Sequence, residues 1–203
     1  TVVVPTENTI TLSNDGIVFE GTGAELSADL KTITIAQPGT YIVTGEMEEG
    51  QIVVDVDKTA YVDGLVELSL EGMSISNTST SPIYIASVDD KCSISAKKGT
   101  VNTVSDGTSY TNADGGVGAV YAKDDITFKG KGTLNVYGNC EDAIVCKNDI
   151  HINNGTLNVT AADDGIRGKD SVRIGDPLDT DFSSLNVTVN AKGGDGIKST
   201  ETD

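Results

Sequence analysis

Residues 161–174 read AADDGIRGKDSVRI, and close copies of this phrase recur along the chain. CEDAIVCKNDIHI occupies residues 140–152, GAVYAKDDITF occupies residues 118–128, and GGDGIKSTE begins at residue 193. Alignment of the copies on one apolar position superposes Val120, Ile144, Ile166 and Ile197, at steps of 24, 22 and 31 residues. Repetition at a nearly fixed period is typical of a chain that stacks successive coils on one another.

Each copy contains three short runs with the alternation of β-strands. A period near 22 residues with three strands predicts an all-β parallel β-helix, in which each coil covers the apolar face of the next. We expect a single domain over residues 1–203, with a cap and irregular first coil at residues 1–50 and regular coils at residues 51–203. A leucine-rich repeat fits less well because no copy has a helical half, and a β-sandwich would not repeat a phrase in register.

The charge and composition of the chain exclude several classes of partner and site. The formal net charge of −17 and the pI near 4.2 make nucleic acid an unsuitable partner, because phosphates would be repelled. No apolar run approaches the ~18 residues that a membrane span needs, so no membrane insertion is expected. His151 is the only histidine, which argues against histidine-based metal sites and catalytic triads. The cysteines, which are odd in number, are expected to be buried free thiols.

Acidic residues recur at the same points of successive copies. Asp142, Asp164 and Asp195 precede the first strand, and Asp163 precedes one of them. Stacked carboxylates repel one another, and calcium, which takes six to eight oxygen ligands, would offset that repulsion. The candidate calcium ligands are Asp142, Asp164, Asp195, Asp163, Asp170 and Asp124. The alternative is that these residues only form Asp-Gly turns, with Arg167 and Lys169 as counter-ions.

Two further columns are predicted from the alignment. The outward positions of the first strand are occupied by Tyr84, Tyr121, Val145, Arg167 and Lys198. On the third strand, a hydrogen-bonding ladder is expected from Asn102, Asn135, Asn158 and Asn186.

The chain resembles a family of secreted bacterial proteins, best known from clostridia, that are described as carbohydrate-binding domain-containing. The resemblance is carried by DAIVCKNDIHINNGTLNVTAADDGIRGKDSVRI (residues 142–174), GGDGIKST (193–200) and TITIAQPGTYIVTGEMEEGQIVVDV (32–56). It implies a right-handed parallel β-helix like that of pectate lyases, bound calcium and an extracellular or cell-surface location. It also implies binding to plant cell-wall polysaccharides such as cellulose and pectin-like acidic sugars.

The resemblance directs attention to the outward column as the carbohydrate site. The chain has no Trp, and its three Phe residues are not expected to form a platform, so sugar rings would have to stack on Tyr84 and Tyr121. Arg167 and Lys198 complete the candidate carbohydrate-binding residues. This set favours acidic sugars over crystalline cellulose. Because the chain ends at KSTETD, within a repeat, we also expect the native protein to be longer.

The sequence therefore predicts a non-enzymatic, calcium-containing polysaccharide-binding protein without catalytic residues. One alternative is a calcium-dependent polysaccharide lyase in which Arg167 or Lys198 removes the proton next to a uronate carboxylate. A second alternative is a surface scaffold or adhesion module without a sugar ligand. The sequence leaves the oligomeric state open.

Overall fold

A computed structural model describes residues 7–111, 117–176, 178–179 and 181–200. Residues 1–6 of the predicted cap and the chain end at 201–203 lie outside these ranges. The described residues form strands and turns, and none of them belongs to a helix long and apolar enough to cross a membrane. The strands are β1 (Asn8–Leu12), β2 (Val18–Glu20), β3 (Ala24–Leu26), β4 (Thr32–Ile35), β5 (Gly39–Met47), β6 (Gln51–Asp55), β7 (Leu65–Asn77), β8 (Ile83–Ser87), β9 (Lys91–Ala96), β10 (Val101–Asp106), β11 (Val120–Ala122), β12 (Ile126–Gly130), β13 (Thr133–Gly138), β14 (Ile144–Cys146), β15 (Asp149–Ile152), β16 (Gly155–Ala161), β17 (Ile166–Gly168), β18 (Ser171–Ile174), β19 (Leu185–Ala191) and β20 (Ile197–Ser199).

The first strands of the repeated phrases form one sheet of eight strands, in the order β20-β17-β14-β11-β8-β6-β4-β3. Its strands run parallel except for the antiparallel pair β3 and β4. Val120 pairs with Ile144, Ile144 with Ile166, and Ile166 with Ile197. The alignment of the first strands of the phrases is thus confirmed, residue for residue, by the strand register.

The second and third strands of the phrases belong to a single sheet, which is where the predicted fold class is wrong. Twelve strands are hydrogen-bonded in the order β18-β15-β12-β9-β7-β10-β13-β16-β19, with β5, β1 and β2 attached beside β7. The first half of β7 pairs with β9 and its second half pairs with β10. The molecule is therefore all-β with one large curled sheet and a second, smaller sheet, and not a closed right-handed β-helix with three strands per coil.

A β-bulge in β7 explains this difference. The glycine between the apolar runs at residues 66–70 and 73–75 predicts two separate strands, but β7 passes through Gly72, whose φ is 81°. The pairing of β5 with β7 shifts register at this point, between Val43 and Gly45. A bulge bends a strand without ending it, so β7 joins the two sets of strands into one sheet.

The predicted asparagine ladder is found only in part. Asn135 pairs with Asn158, and the Nδ2 of Asn158 donates to the Oδ1 of Asn135 at 2.9 Å. Asn102, however, lies opposite Leu134, and Asn186 lies opposite Thr156. The four-residue ladder is therefore wrong, because the phrases were aligned one residue out of register at Asn102 and two at Asn186.

The space between the sheets is filled by the inward residues of each rung. Ile144 and Ile166 are fully buried, and Cys92 and Cys146 are buried free thiols, as predicted. Cys140 is also a free thiol, but it lies in a turn between strands and is only half-buried, so the prediction of burial is wrong for it. Ile197 belongs to the same column but is 40% exposed, because no described strand is stacked beyond β20. The described stack therefore ends in a half-exposed apolar rung.

Candidate functional site

The turns that precede β14, β17 and β20 are joined by the carboxylates of the first acidic column. Asp142 and Asp164 are buried, at 3% and 4% exposure. The Oδ1 of Asp142 accepts a hydrogen bond from the backbone N–H of Asp164 at 3.0 Å, and the Oδ1 of Asp164 accepts one from the N–H of Asp195 at 2.8 Å. One oxygen of each carboxylate thus fixes the position of the next turn.

The second oxygens of these carboxylates are paired with cations from the outward column. Arg167 contacts the Oδ2 of Asp142 through Nη2 at 2.5 Å and through Nε at 2.7 Å. Lys198 Nζ lies 2.5 Å from the Oδ2 of Asp164, and Arg167 Nε lies 3.7 Å from the same atom. Each buried carboxylate is therefore neutralised by a cation from the following rung.

The electrostatics of Asp164 follow from these contacts. Burial alone would raise the pKa of its carboxyl group, because the charged form loses water. The hydrogen bonds from Lys198 and from the Asp195 N–H outweigh burial and lower the pKa below its ordinary value. Asp164 is therefore held as a carboxylate and not as a proton donor.

Asp163 adds a third carboxylate to this group and is exposed. One oxygen from each of Asp142, Asp163 and Asp164 lies within 4.8 Å of the others, close enough to hold one metal ion. Asp195 lies at the edge of the cluster, with its side chain 68% exposed and 3.6 Å from Lys198 Nζ. The structure therefore brings together three of the candidate metal ligands, Asp142, Asp163 and Asp164, and leaves Asp195 beside them.

Asp124 and Asp170 lie elsewhere, because they follow the first strand and so flank its opposite end. Asp124 forms a 2.6 Å ion pair with Lys58 and accepts a hydrogen bond from the N–H of Val88 at 2.9 Å. Asp170 lies 3.4 Å from Lys169 Nζ. Neither residue belongs to the carboxylate group around Asp164.

The tyrosines of the outward column form a stacked pair. The ring centroids of Tyr84 and Tyr121 are 5.6 Å apart, and their planes differ by 21°. Tyr121 is 8% exposed, and burial raises the pKa of its hydroxyl group. Tyr84 is half-buried, and the Nζ of Lys123 lies 5.5 Å from its ring centre.

Similarity to known proteins fits this arrangement. A family model described as carbohydrate-binding domain-containing protein matches residues 29–203. The chain belongs to this carbohydrate-binding domain family. A carbohydrate-binding domain-containing protein of Acetivibrio thermocellus is 35% identical over 140 residues, which cover 67% of this chain and 47% of that protein. The chain thus spans about half the length of the curated relative that it matches.

A solved structure has the same fold. It is a polysaccharide lyase-like protein from C. thermocellum, in a gadolinium derivative, with 26% identity and a TM-score of 0.72. The superposition covers 96% of this chain and 83% of the other. A protein described as carbohydrate-binding domain-containing is thus similar to this chain in sequence, and a protein described as polysaccharide lyase-like is similar to it in fold.

The structure also shows that the outward column of the domain is not one continuous surface. Val145, which lies between the tyrosines and the cations, is only 1% exposed. A Cβ added to Gly118 would lie 3.1 Å from its side chain, so the chain just before β11 covers it. The candidate carbohydrate residues therefore fall into two groups, with Tyr84 and Tyr121 in one and Arg167 and Lys198 in the other.

Sequence reasoning missed the contacts that hold this covering segment. Tyr110 Oη donates to the Oδ2 of Asp106 at 2.7 Å, and the N–H of Gly118 donates to Tyr110 Oη at 2.8 Å. Ser81 Oγ donates to the carbonyl of Gly118 at 2.6 Å. Burial raises the pKa of Asp106. The Gly- and Asp-rich stretch DGTSYTNADGGVG at residues 106–118 predicts a long turn. Its composition gives no sign that the side chain of Tyr110 contacts Asp106.

Proposed function

We propose that this chain is a non-catalytic module that binds polysaccharides. The family to which it belongs and the polysaccharide lyase-like structural neighbour support a polysaccharide partner. The observation that carries the choice of binding over cleavage is the pairing of Arg167 and Lys198, the two candidate bases, with the buried Asp142 and Asp164. Both cations already neutralise buried carboxylates, which would be left charged and unpaired without them.

A base in a lyase must lose its proton before it can remove one from the substrate. The hydrogen bond from Lys198 to Asp164 raises the pKa of the ammonium group, which makes Lys198 a poorer base. Arg167 is held by two contacts to one carboxylate oxygen. The same residues that suggest a lyase in the sequence are therefore placed as structural counter-ions.

The glycans that we propose are those of plant cell walls, cellulose or pectin-like acidic chains, met outside the bacterial cell or at its surface. Successive rungs of a sheet are about 4.8 Å apart, which is close to the length of one sugar ring in a linear polysaccharide. A glycan that lies along an uncovered part of the stack would thus place about one sugar ring at each rung. The agreement between rung spacing and sugar length supports a linear glycan, whatever its sugar units.

We also propose that the carboxylates of Asp163, Asp142 and Asp164 together bind a calcium ion. The donor set suits a hard cation, since three carboxylate oxygens lie within 4.8 Å of one another. Three carboxylates against the two cations Arg167 and Lys198 leave one negative charge. The similar structure from C. thermocellum is a gadolinium derivative, and gadolinium, like calcium, prefers oxygen ligands. The ion would have to compete with Lys198 for Asp164.

A glycan array, run with and without a calcium chelator, tests the proposed function. We expect binding to linear cell-wall polysaccharides, and a weaker signal on acidic chains when calcium is removed. Incubation with polygalacturonate and calcium, followed by ultraviolet absorbance, should reveal no unsaturated product. Product formation that disappears in Arg167→Ala would establish the lyase instead, and binding to no glycan would favour the scaffold.

A further inference from the structure

One side of the half-buried Tyr84 ring is not stacked on another aromatic ring of the outward column. Tyr121 stacks on the other face of Tyr84, at a centroid distance of 5.6 Å. The other face of Tyr121 is directed toward Val145 on the next rung, which is buried under the segment before β11. By strand register, the remaining face of Tyr84 looks toward Val53 on the preceding rung.

Two small side chains lie in front of this face. Val53 pairs with Tyr84 across the sheet, and Thr34 pairs with Val53 on the rung before. Both are half-buried and occupy outward positions of β6 and β4. Because two rungs span about 10 Å, the column forms a shelf with Tyr84 as its wall, large enough for one or two sugar rings.

A cation lies beside this wall. The backbone N–H of Lys123 donates to the carbonyl of Ile85 at 2.8 Å, which places its side chain next to Tyr84. The ammonium group lies 5.5 Å from the Tyr84 ring centre and, within the described residues, forms no ion pair. Lys123 is exposed, whereas Arg167 and Lys198 are engaged by buried carboxylates.

We propose that Tyr84, Lys123 and the shelf formed by Val53 and Thr34 bind one uronic-acid residue of an acidic polysaccharide. The C–H face of the sugar ring packs on the free face of Tyr84, as apolar surface does on an aromatic ring. Its carboxylate pairs with the ammonium group of Lys123 in a charge-assisted hydrogen bond. This inference rests on the proposed polysaccharide binding and names the site and the sugar class.

The charge of the whole chain makes this placement informative. A protein with a net charge of −17 repels acidic sugars in general. Lys123, which forms no ion pair in the described part of the chain and lies beside the half-buried Tyr84, is therefore a place where a carboxylate-bearing sugar gains attraction instead of repulsion. A neutral glucan would use the Tyr84 face but would gain nothing from the charge of Lys123.

Calorimetric titration of the protein with trigalacturonate and with uncharged cellotriose tests the site. Lys123→Ala should weaken trigalacturonate binding about five-fold, in line with loss of one charged contact, and leave cellotriose binding unchanged. Tyr84→Ala should weaken binding of both ligands about ten-fold, and Tyr84→Phe should retain it, since the ring remains. Lys147→Ala is the matched control: the N–H of Lys147 donates to the carbonyl of Ala122 on the preceding rung, which places its side chain next to Tyr121, and Tyr121 is only 8% exposed.

The outcomes separate the site from the function. If wild-type protein binds trigalacturonate but Lys123→Ala and Lys147→Ala weaken it equally, the effect is general charge and the site is wrong. Unchanged binding in Tyr84→Ala, with the melting temperature of the variant showing that it is folded, also overturns the site while polysaccharide binding stands. If wild-type protein binds neither these sugars nor any polysaccharide, the proposed function itself fails, and this inference with it.

Discussion

Asp164 shows how a single residue can serve the fold where its sequence context suggests a ligand. A carboxylate at 4% exposure would be strongly unfavourable alone, yet each oxygen of Asp164 has a partner on the following rung. The N–H of Asp195 satisfies one oxygen and Lys198 neutralises the other. The residue therefore links two consecutive turns.

The first prediction concerns Asp164→Asn, which keeps an oxygen for the Asp195 N–H but removes the charge that pairs with Lys198. We expect the free energy of unfolding to fall by about 2 kcal/mol at pH 7, a typical value for a hydrogen bond to a charged group. Because folding lowers the pKa of Asp164, its contribution is full above the unfolded value of 3.8 and is lost as the pH falls through the folded pKa. Urea unfolding between pH 7 and pH 2 should show the gap closing at low pH, and a constant gap would contradict this account.

The acidic column was predictable from the sequence, but its partners were not. Asp142, Asp164 and Asp195 recur because every copy of the phrase needs a turn at the same point. Whether an ion or a side chain neutralises them depends on the outward position of the next rung, 25 residues away for Arg167 and Asp142. The signal was present, since the outward position changes from Tyr and Val to Arg and Lys where the carboxylates stack, but repetition alone does not rank a salt bridge against a metal.

At the scale of the strand, register decides which residues serve the core. A shift of one residue moves every side chain to the other face of a sheet, and this is the shift that misplaced Asn102. Strand pairing among β11, β14, β17 and β20 was predicted correctly, because the repeated phrase is nearly identical there. The fusion of two strand sets through β7 was not, because a bulge at Gly72 and a turn look the same in sequence.

The second prediction concerns Asn102, which is fully buried beside this bulge. Its Oδ1 accepts the N–H groups of Gly72 at 2.8 Å and Met73 at 3.0 Å, at the point where the pairing of β5 with β7 shifts register. Asn102→Leu would leave both donors without a partner, so we expect a loss of about 2–4 kcal/mol of unfolding free energy. Asn135→Leu, at a half-buried position in the two-residue ladder, is the control and should cost less than about 1 kcal/mol by the same measurement. Equal losses would show that Asn102 does not support the bulge.

The third prediction compares two isoleucines of one inward column. Ile166 is fully buried, whereas Ile197, one rung later, is 40% exposed. Ile166→Asp places an unpaired charge between the sheets and should cost more than about 4 kcal/mol, enough to prevent folding in a marginal protein. Ile197→Asp should cost about 1 kcal/mol, because its carboxylate reaches water. Thermal unfolding followed by circular dichroism measures both, and similar melting temperatures would contradict the column.

At the scale of the whole molecule, some charges are held in ion pairs, and the remaining excess of acidic groups gives the chain its negative net charge. Several cations of the described stack form ion pairs with carboxylates one or two rungs away, among them Lys58, Lys129, Arg167 and Lys198. The surplus of acidic groups gives the net charge of −17, which any cation would screen. A test for a specific calcium site must therefore distinguish coordination from screening.

The fourth prediction makes that distinction through two residues of the carboxylate group. Calcium bound only to the folded chain should raise the melting temperature by about 5 °C at a hundred-fold excess over its dissociation constant. The rise should exceed that produced by sodium chloride at equal ionic strength, which screens charge without filling an oxygen-lined site. Asp163→Asn removes a carboxylate that makes no contact with Arg167 or Lys198, and it should reduce the calcium-dependent rise.

Lys198→Met has the opposite effect if calcium competes with the ammonium group for Asp164. This variant should be less stable without calcium, because Asp164 loses its counter-ion, yet it should gain more stability from calcium than the wild type does. Screening alone would also make this variant respond more to salt, but it would do so equally in calcium and in sodium chloride at matched ionic strength. Only a larger rise in calcium than in sodium chloride therefore indicates coordination. If the melting temperatures of wild type, Asp163→Asn and Lys198→Met rise equally in calcium and in sodium chloride at matched ionic strength, the acidic column consists of turn residues with counter-ions and holds no calcium.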